Sequence, residues 1–193
     1  KSKIYDGNTD AEGTLTLSST DGNPILSEDA AALEAKGTFT WISKDAGTNT
    51  VNVTDIALDS KFEDRYELTT SELSNVSCSG AKIENAQIKN VSVRQLTEVT
   101  ATGSTTGGTA ITFRYGLTAV QAADETQALK TVPAFTDAGI YTVYYTASAA
   151  NHDSVSGSFE IEIKNASITG VDAAGYTGIY DGQSHGIKIT LTG

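Results

Sequence analysis

A single cysteine, Cys78, stands among the 193 residues, so no disulfide can close within one chain. Its setting, Ser-Asn-Val-Ser-Cys-Ser, alternates like a strand, which makes Cys78 a small buried hydrophobe. No histidine or basic residue lies beside it to activate a thiol. Methionine is absent and there are only two prolines, against 18 glycines. That is the usage of many short strands with polar faces and tight turns. Bases are also scarce: 13 Lys and Arg face 24 Asp and Glu, a net charge of −11. Residues 1–83 hold 14 of the acids and 7 of the bases, leaving 10 and 6 for the rest, so the excess is no acidic tail. An acidic surface repels phosphate backbones and anionic membranes, which argues against both as partners. No apolar run approaches the roughly 18–20 residues of a membrane-spanning helix. The chain opens Lys-Ser-Lys with neither an initiating Met nor an apolar leader. It reads as an internal segment of a longer protein, in which missing targeting signals carry no information.

What is present is repetition. Asp45-Ala46-Gly47 and Asp137-Ala138-Gly139 each close a turn and open a strand of alternating apolar residues. The stretch NAQIKNVSV (85–93) returns as NASITGVDA (165–173), an offset of 165 − 85 = 80 residues. IYDG occurs at 4–7 and again at 179–182. These echoes divide the chain into a β-module over 1–88, a second over 89–165 and the opening of a third over 166–193. About 28 residues cannot bury a core alone, so the third piece either docks on the second module or projects and pairs with another copy.

Within the first module Asp6-Gly7 and DGNP (21–24) signal turns, and Leu15 and Leu17 alternate as a half-buried strand. Residues 27–43 favour helix by propensity. Yet Leu33, Ala35, Phe39 and Trp41 share one parity, which predicts a strand with Trp41 in the core, after a short helical turn at 28–32. Val51 and Val53 keep strand parity while Ile56 and Leu58 take the other, so a β-bulge is expected near Asp55. Tyr66 with Leu68, and Val76 with Cys78, predict further strands. In the second module Val91–Val93, Val99–Ala101 and Ile111–Tyr115 alternate, and STTGG (104–108) reads as a hairpin connection. Residues 119–129 are a loop or a short helix. FTDAGIYTVYYTASA (135–149) and SFEIEI (158–163) form strong strands joined by a turn.

The order Asp137-x-Gly139-x-Tyr141-x-Val143 resembles the penultimate strand of immunoglobulin-like sandwiches, in which a Tyr hydroxyl turns back to the backbone. The first module departs from this pattern, with Asn49 in the Tyr place. More broadly the chain resembles bacterial surface-repeat domains of the YDG and MBG kinds. KIYDGNTDAEGTLTL, KDAGTNTVNVTDIAL and YELTTSELS carry the YDG pattern. VPAFTDAGIYTVYYTASAANHDSVSGSFEIEIKNA (132–166) resembles an MBG-type ending, and GYTGIYDGQSHGIKIT (175–190) the opening of another repeat. The resemblance implies tandem all-β immunoglobulin-like modules, or a β-grasp-like variant. It also implies an extracellular bacterial setting, at the cell surface or secreted, and no reaction.

Candidate sites are few. His152 and His185 fall in different modules, and a triad drawn from Ser154, His152 and Asp153 would join sequence neighbours without a nucleophile elbow. No catalytic residue and no cofactor is therefore expected. A zinc site needs three or four N or S ligands. Calcium suits the acidic loops at 59–64 and 6–12, with Asp59 and Asp64 as candidates, though neither loop has the Asp-x-Asp-x-Asp-Gly ladder. A Lys–Asn or Lys–Asp crosslink, known in other bacterial stalk domains, would need a buried lysine, for which Lys36, Lys61 and Lys164 are candidates. Tyr144 has opposite parity to Tyr141, Val143 and Tyr145, which turns it outward as a sugar platform. The sequons at Asn52, Asn75, Asn90 and Asn165 reflect Ser/Thr-rich strands. Asp6, Gly7, Asp45, Gly47, Asp137, Gly139, Tyr141, Asp181 and Gly182 are read as structural. The expected role is a stalk or spacer whose partners are neighbouring modules of the same chain. The alternatives are an adhesive module binding host glycan or matrix protein, and an accessory domain of a secreted glycan-degrading enzyme.

Overall fold

The computed structural model describes residues 1–19, 22, 24–95 and 98–192. The chain is all-β: fourteen strands and a single short α-helix among the described residues. They are β1 (Lys3–Ile4), β2 (Ala35–Trp41), β3 (Thr50–Leu58), β4 (Leu73–Ser77), β5 (Ile83–Glu84), β6 (Ala86–Gln87) and β7 (Lys89–Gln95). After these come β8 (Val99–Ser104), β9 (Thr112–Gly116), helix α1 (Ala119–Ala123), β10 (Gly139–Ser148) and β11 (His152–Asp153). The last are β12 (Val155–Ile163), β13 (Gly170–Ala174) and β14 (Lys188–Thr192).

The first core lies under the antiparallel sheet β2-β3-β4. Trp41, Val51, Val53 and Ile56 pack there with Tyr5, Ile83 and Ala86. Residues 27–32 make turns, with Leu33 N–H bonded to Asp29 O, before β2 begins on the expected parity. The expected bulge is present. Lys36 pairs with Ala57 but Thr38 with Thr54, so β3 carries the extra residue, and Asp55 takes φ 53°. Asp tolerates this left-handed conformation better than most side chains. Gly37 lies opposite the bulge, where a Cβ would stand 2.9 Å from Val53 Cγ1.

Other expectations need correction. Leu15 and Leu17 form no strand: residues 11–19 run without a ladder, and among the described residues the Asp10–Thr40 bridge is the backbone pairing between this segment's start and β2. Tyr66 and Leu68 form no strand either. A 3-10 turn at Ser60–Phe62 precedes them, and Tyr66 turns its hydroxyl to the buried Asp29 carboxylate at 2.8 Å. Cys78 is half-buried at the rim of the first core. The turn expected at 21–24 involves residues outside the described set.

The second core is shared by two sheets, β7-β8 and β12-β10-β9. Val93 from the first sheet meets Tyr115, Val143, Phe159 and Ile161 from the second. Residues 104–108 are not a hairpin. β8 and β9 lie in different sheets, and a 3-10 turn at Thr106–Gly108 carries the chain between them, with Gly107 at φ 72° and Gly108 at φ 68°. Tyr141 donates its hydroxyl hydrogen to Asp137 O at 2.9 Å and stacks on Phe135 with ring centroids 4.0 Å apart. Among the described residues β13 and β14 pair only with each other, and residues 171–192 are exposed throughout. The third piece therefore does not dock on the second core.

Candidate functional site

The two cores meet at a joint built around one turn, residues 149–153. Asn151 sits at its tip with φ 62°, a conformation that asparagine tolerates. Its side chain faces the Asp45 turn. Asn151 Oδ1 accepts from Ala46 N–H at 3.0 Å, and Asn151 Nδ2 donates to Asp45 Oδ1 at 3.1 Å. Its carbonyl accepts from Ala86 N–H at 2.9 Å. β11 then lies parallel to β6, pairing His152 with Ala86 and Asp153 with Gln87. Asp153 accepts from both neighbouring amides, Asn85 Nδ2 at 3.0 Å and Gln87 Nε2. The joint thus uses main chain and side chain together, which fixes angle as well as proximity.

His152 seals it. The ring is 6% exposed and meets Tyr5, itself 6% exposed, edge to face at 5.5 Å. Its Nε2 accepts from Thr106 N–H at 3.1 Å, so the proton resides on Nδ1, which lies 2.8 Å from Ala150 O and donates to it. Thr106 belongs to the 3-10 turn between the sheets of the second core. That turn brings Gly107 against Tyr5, where an added Cβ would stand 3.4 Å from the hydroxyl and 3.8 Å from Gly7 Cα. A side chain at Gly107 would also meet the positive-φ restriction.

Most of the residues read as structural fall at turns. Asp6 and Asp181 each accept from the backbone N–H two residues on, at 3.1 and 2.9 Å, ahead of glycines at φ 85° and 74°. Lys3 beside Asp6 holds its carboxyl below the ordinary range. Asp45 and Gly47 shape the socket for Asn151, with Gly47 at φ 89° and its N–H bonded to Ile83 O at 2.7 Å. Asp137 and Gly139 frame the Tyr141 corner, although Gly139 is not left-handed.

The Asp45 carboxyl is also held below the ordinary value of 3.8, first by the Ser43 hydroxyl and then by Asn151. A depressed carboxyl favours the folded joint above the free value, and that advantage is lost as pH falls through the folded value. Carbon-detected NMR titration should therefore show Asp45 rising toward 3.8 in both Ser43→Ala and Asn151→Ala. An unchanged midpoint in Asn151→Ala would detach Asp45 from the joint.

Several candidate binding residues do not stand as expected. Tyr144 is half-buried, because its neighbour across the sheet, Gly116, lies under α1. A Cβ at Gly116 would come 2.7 Å from Ala122 N, so the helix covers the face that Tyr144 shares. Asp59 caps the 3-10 turn by accepting from Lys61 N–H at 3.2 Å, and pairs with the Lys61 ammonium at 3.5 Å. Among the described residues no three His, Cys, Asp or Glu side chains, Asp59 and Asp64 included, gather as a metal-holding group. Lys36, Lys61 and Lys164 are all exposed, so none is the buried lysine a crosslink requires. Both ring nitrogens of His152 are engaged with backbone, not with Ser154 or Asp153. Among the described residues no helix is long and apolar enough to cross a membrane.

Of the joint residues, Tyr5, Asn85, Gln87, Thr106 and Asn151 carried no catalytic or metal signature, and Asp153 entered only the rejected triad. Their signals were recurrences: Tyr5 in Ile-Tyr-Asp-Gly at 4–7 and 179–182, and Asn85 and Gln87 in Asn-Ala-x-Ile at 85–88 and 165–168. Residues 1–73 match the family model of the YDG domain. The match takes in Tyr5-Asp6-Gly7 and the Asp45 turn, and stops short of Asn85. No curated protein and no solved structure gives a significant match to the chain.

Proposed function

We propose that this chain, which opens with a YDG domain, serves as a non-catalytic stalk, a series of β-modules that holds a distal domain away from a bacterial cell surface. The observation that carries this reading is the latched joint. Neighbouring domains in one chain move freely unless their interface resists it. Here hydrogen bonds from Asn151, Ala86 and Asp153 and the Tyr5–His152 contact join the two cores across a linker of a few residues. In an array each module touches only its neighbours, so stiffness is set joint by joint. The two sheets over the second core and the Tyr141 corner support an immunoglobulin-like assignment of residues 89–165. The net charge of −11 keeps such an array soluble without offering a surface to anionic partners.

Spin labels on cysteines at Glu72 and Glu160, both exposed, with Cys78 changed to Ala, would measure the distance between the two cores. A narrow distribution is expected, broadening about twofold in Asn151→Ala as the joint begins to hinge. A distribution already broad with Asn151 in place would end the stalk reading.

A further inference from the structure

The second module repeats the sequence pattern of the socket that holds Asn151, with an extended Gly139 where the first has the left-handed Gly47, and its residues face solvent. In the first socket Gly47 N–H bonds Ile83 O, Ile83 N–H bonds Thr48 O, and the chain continues Asn85-Ala86-Gln87-Ile88. In the second module Gly139 pairs with Ile163, and the chain continues Asn165-Ala166-Ser167-Ile168. The Asp-Ala-Gly segment and the outgoing strand thus lie side by side in both places, as a turn in the first and a bend in the second, with Asn, Ala and Ile at matching positions. Their surroundings differ. Ala86 is 2% and Ile88 5% exposed, whereas Ile168 is 64% exposed and Asp137, Ala138 and residues 164–169 all face solvent.

We propose that Asp137-Ala138 and Asn165–Ile168 form an acceptor for the Asn-His-Asp turn of a further module of the kind formed by residues 89–165. Ala138 N–H would meet the incoming Asn side chain as Ala46 does, Ala166 N–H its carbonyl as Ala86 does, and Asn165 its Asp as Asn85 does. Such a contact is head-to-tail: each module offers its Asp-Ala-Gly socket to the next and inserts its own turn into the one before. Contacts of this type leave a free socket at one end and a free turn at the other, so they extend an array of one repeated joint angle wherever that angle does not close a ring. The inference rests on the stalk reading and adds the identity of the neighbour.

The test is amide exchange in two chains. In the 193-residue chain, Ala46 and Ala86 should exchange slowly, and Ala138 and Ala166 fast. In an extended chain, residues 1–168 followed by a second 89–165, Ala138 and Ala166 should slow by about tenfold or more. Asn151→Ala in the appended copy should return them to fast exchange. Fast exchange at both positions, with the appended Val143 amide protected, would overturn the inference while leaving the first joint intact. Unprotected Ala46 and Ala86 would instead remove the stalk reading beneath it. Should the appended copy not fold, Glu84→Lys with Gln87→Ser decides, because it writes the 163–168 sequence into the first socket. Retained protection of Ala46 and Ala86 supports an acceptor at 163–168, and lost protection refutes it.

Discussion

Ile83→Ala should unfold the first core at a much lower denaturant concentration than the natural chain, with a loss of about 2–5 kcal/mol. Ile83 is 0% exposed and packs among Tyr5, Trp41, Val51, Val53, Ile56 and Ala86. Truncating it removes the transfer free energy of its methyl and methylene groups and leaves a cavity that the sheet on one side and Tyr5 on the other close poorly. Its backbone bonds to Gly47 and Thr48 do not depend on the side chain, so the loss is one of packing. The chain supplies its own probe, since Trp41 is the only tryptophan and lies in this core at 2% exposure. Tryptophan fluorescence follows the first core, and the Val143 amide follows the second. A shift in the Trp41 midpoint worth less than about 0.5 kcal/mol would mean that Ile83 is not the keystone its burial implies.

His152→Ala should separate the two cores. The ring's edge-to-face contact with Tyr5 contributes about 0.5–1.5 kcal/mol. The bond it accepts from Thr106 N–H, if left unmade in a buried place, costs about 1–3 kcal/mol. Together these suggest a loss of about 2–4 kcal/mol, concentrated where the cores touch. In the natural chain the Trp41 and Val143 probes should report coupled transitions, because unfolding the first core uncovers His152. In His152→Ala they should part, with the first core melting earlier once Tyr5 loses its cover. His152→Gln, which keeps a side-chain acceptor, should lose less. Coincident transitions in His152→Ala would show that the coupling runs through the backbone pairing of β6 and β11 instead.

Much of the strand pattern was legible in the amino-acid order, because alternation is a local property. The parity from Leu33 to Trp41 and its break between Val53 and Ile56 located β2, the bulge at Asp55 and the buried side of each. The Tyr141 spacing located its corner hydrogen bond. Alternation does not say whether a partner lies alongside. Leu15 and Leu17 alternate as well as any strand here, but among the described residues a single bridge at its start pairs that stretch with β2, so its Leu15 side chain packs without a ladder. Gly-rich residues 104–108 turn the chain, but not into the expected hairpin. Which sheet the next strand joins was settled by the core, which placed β9 beside β10.

The joint divides the same way. Composition, the acidic balance, strand periodicity and the repeated Asn-Ala-x-Ile are properties of the sequence alone, and they establish an all-β chain with recurring units. The meaning of Asn151, His152 and Asp153 is not among them. An Asn-His-Asp turn between two strands looks like any polar turn, because its partners lie 46 to 106 residues away at Thr106 and Asp45. Only tertiary structure brings Asp45, Ala86 and Tyr5 to one corner. Only there does burial turn a histidine that would otherwise face water into the seal between two cores.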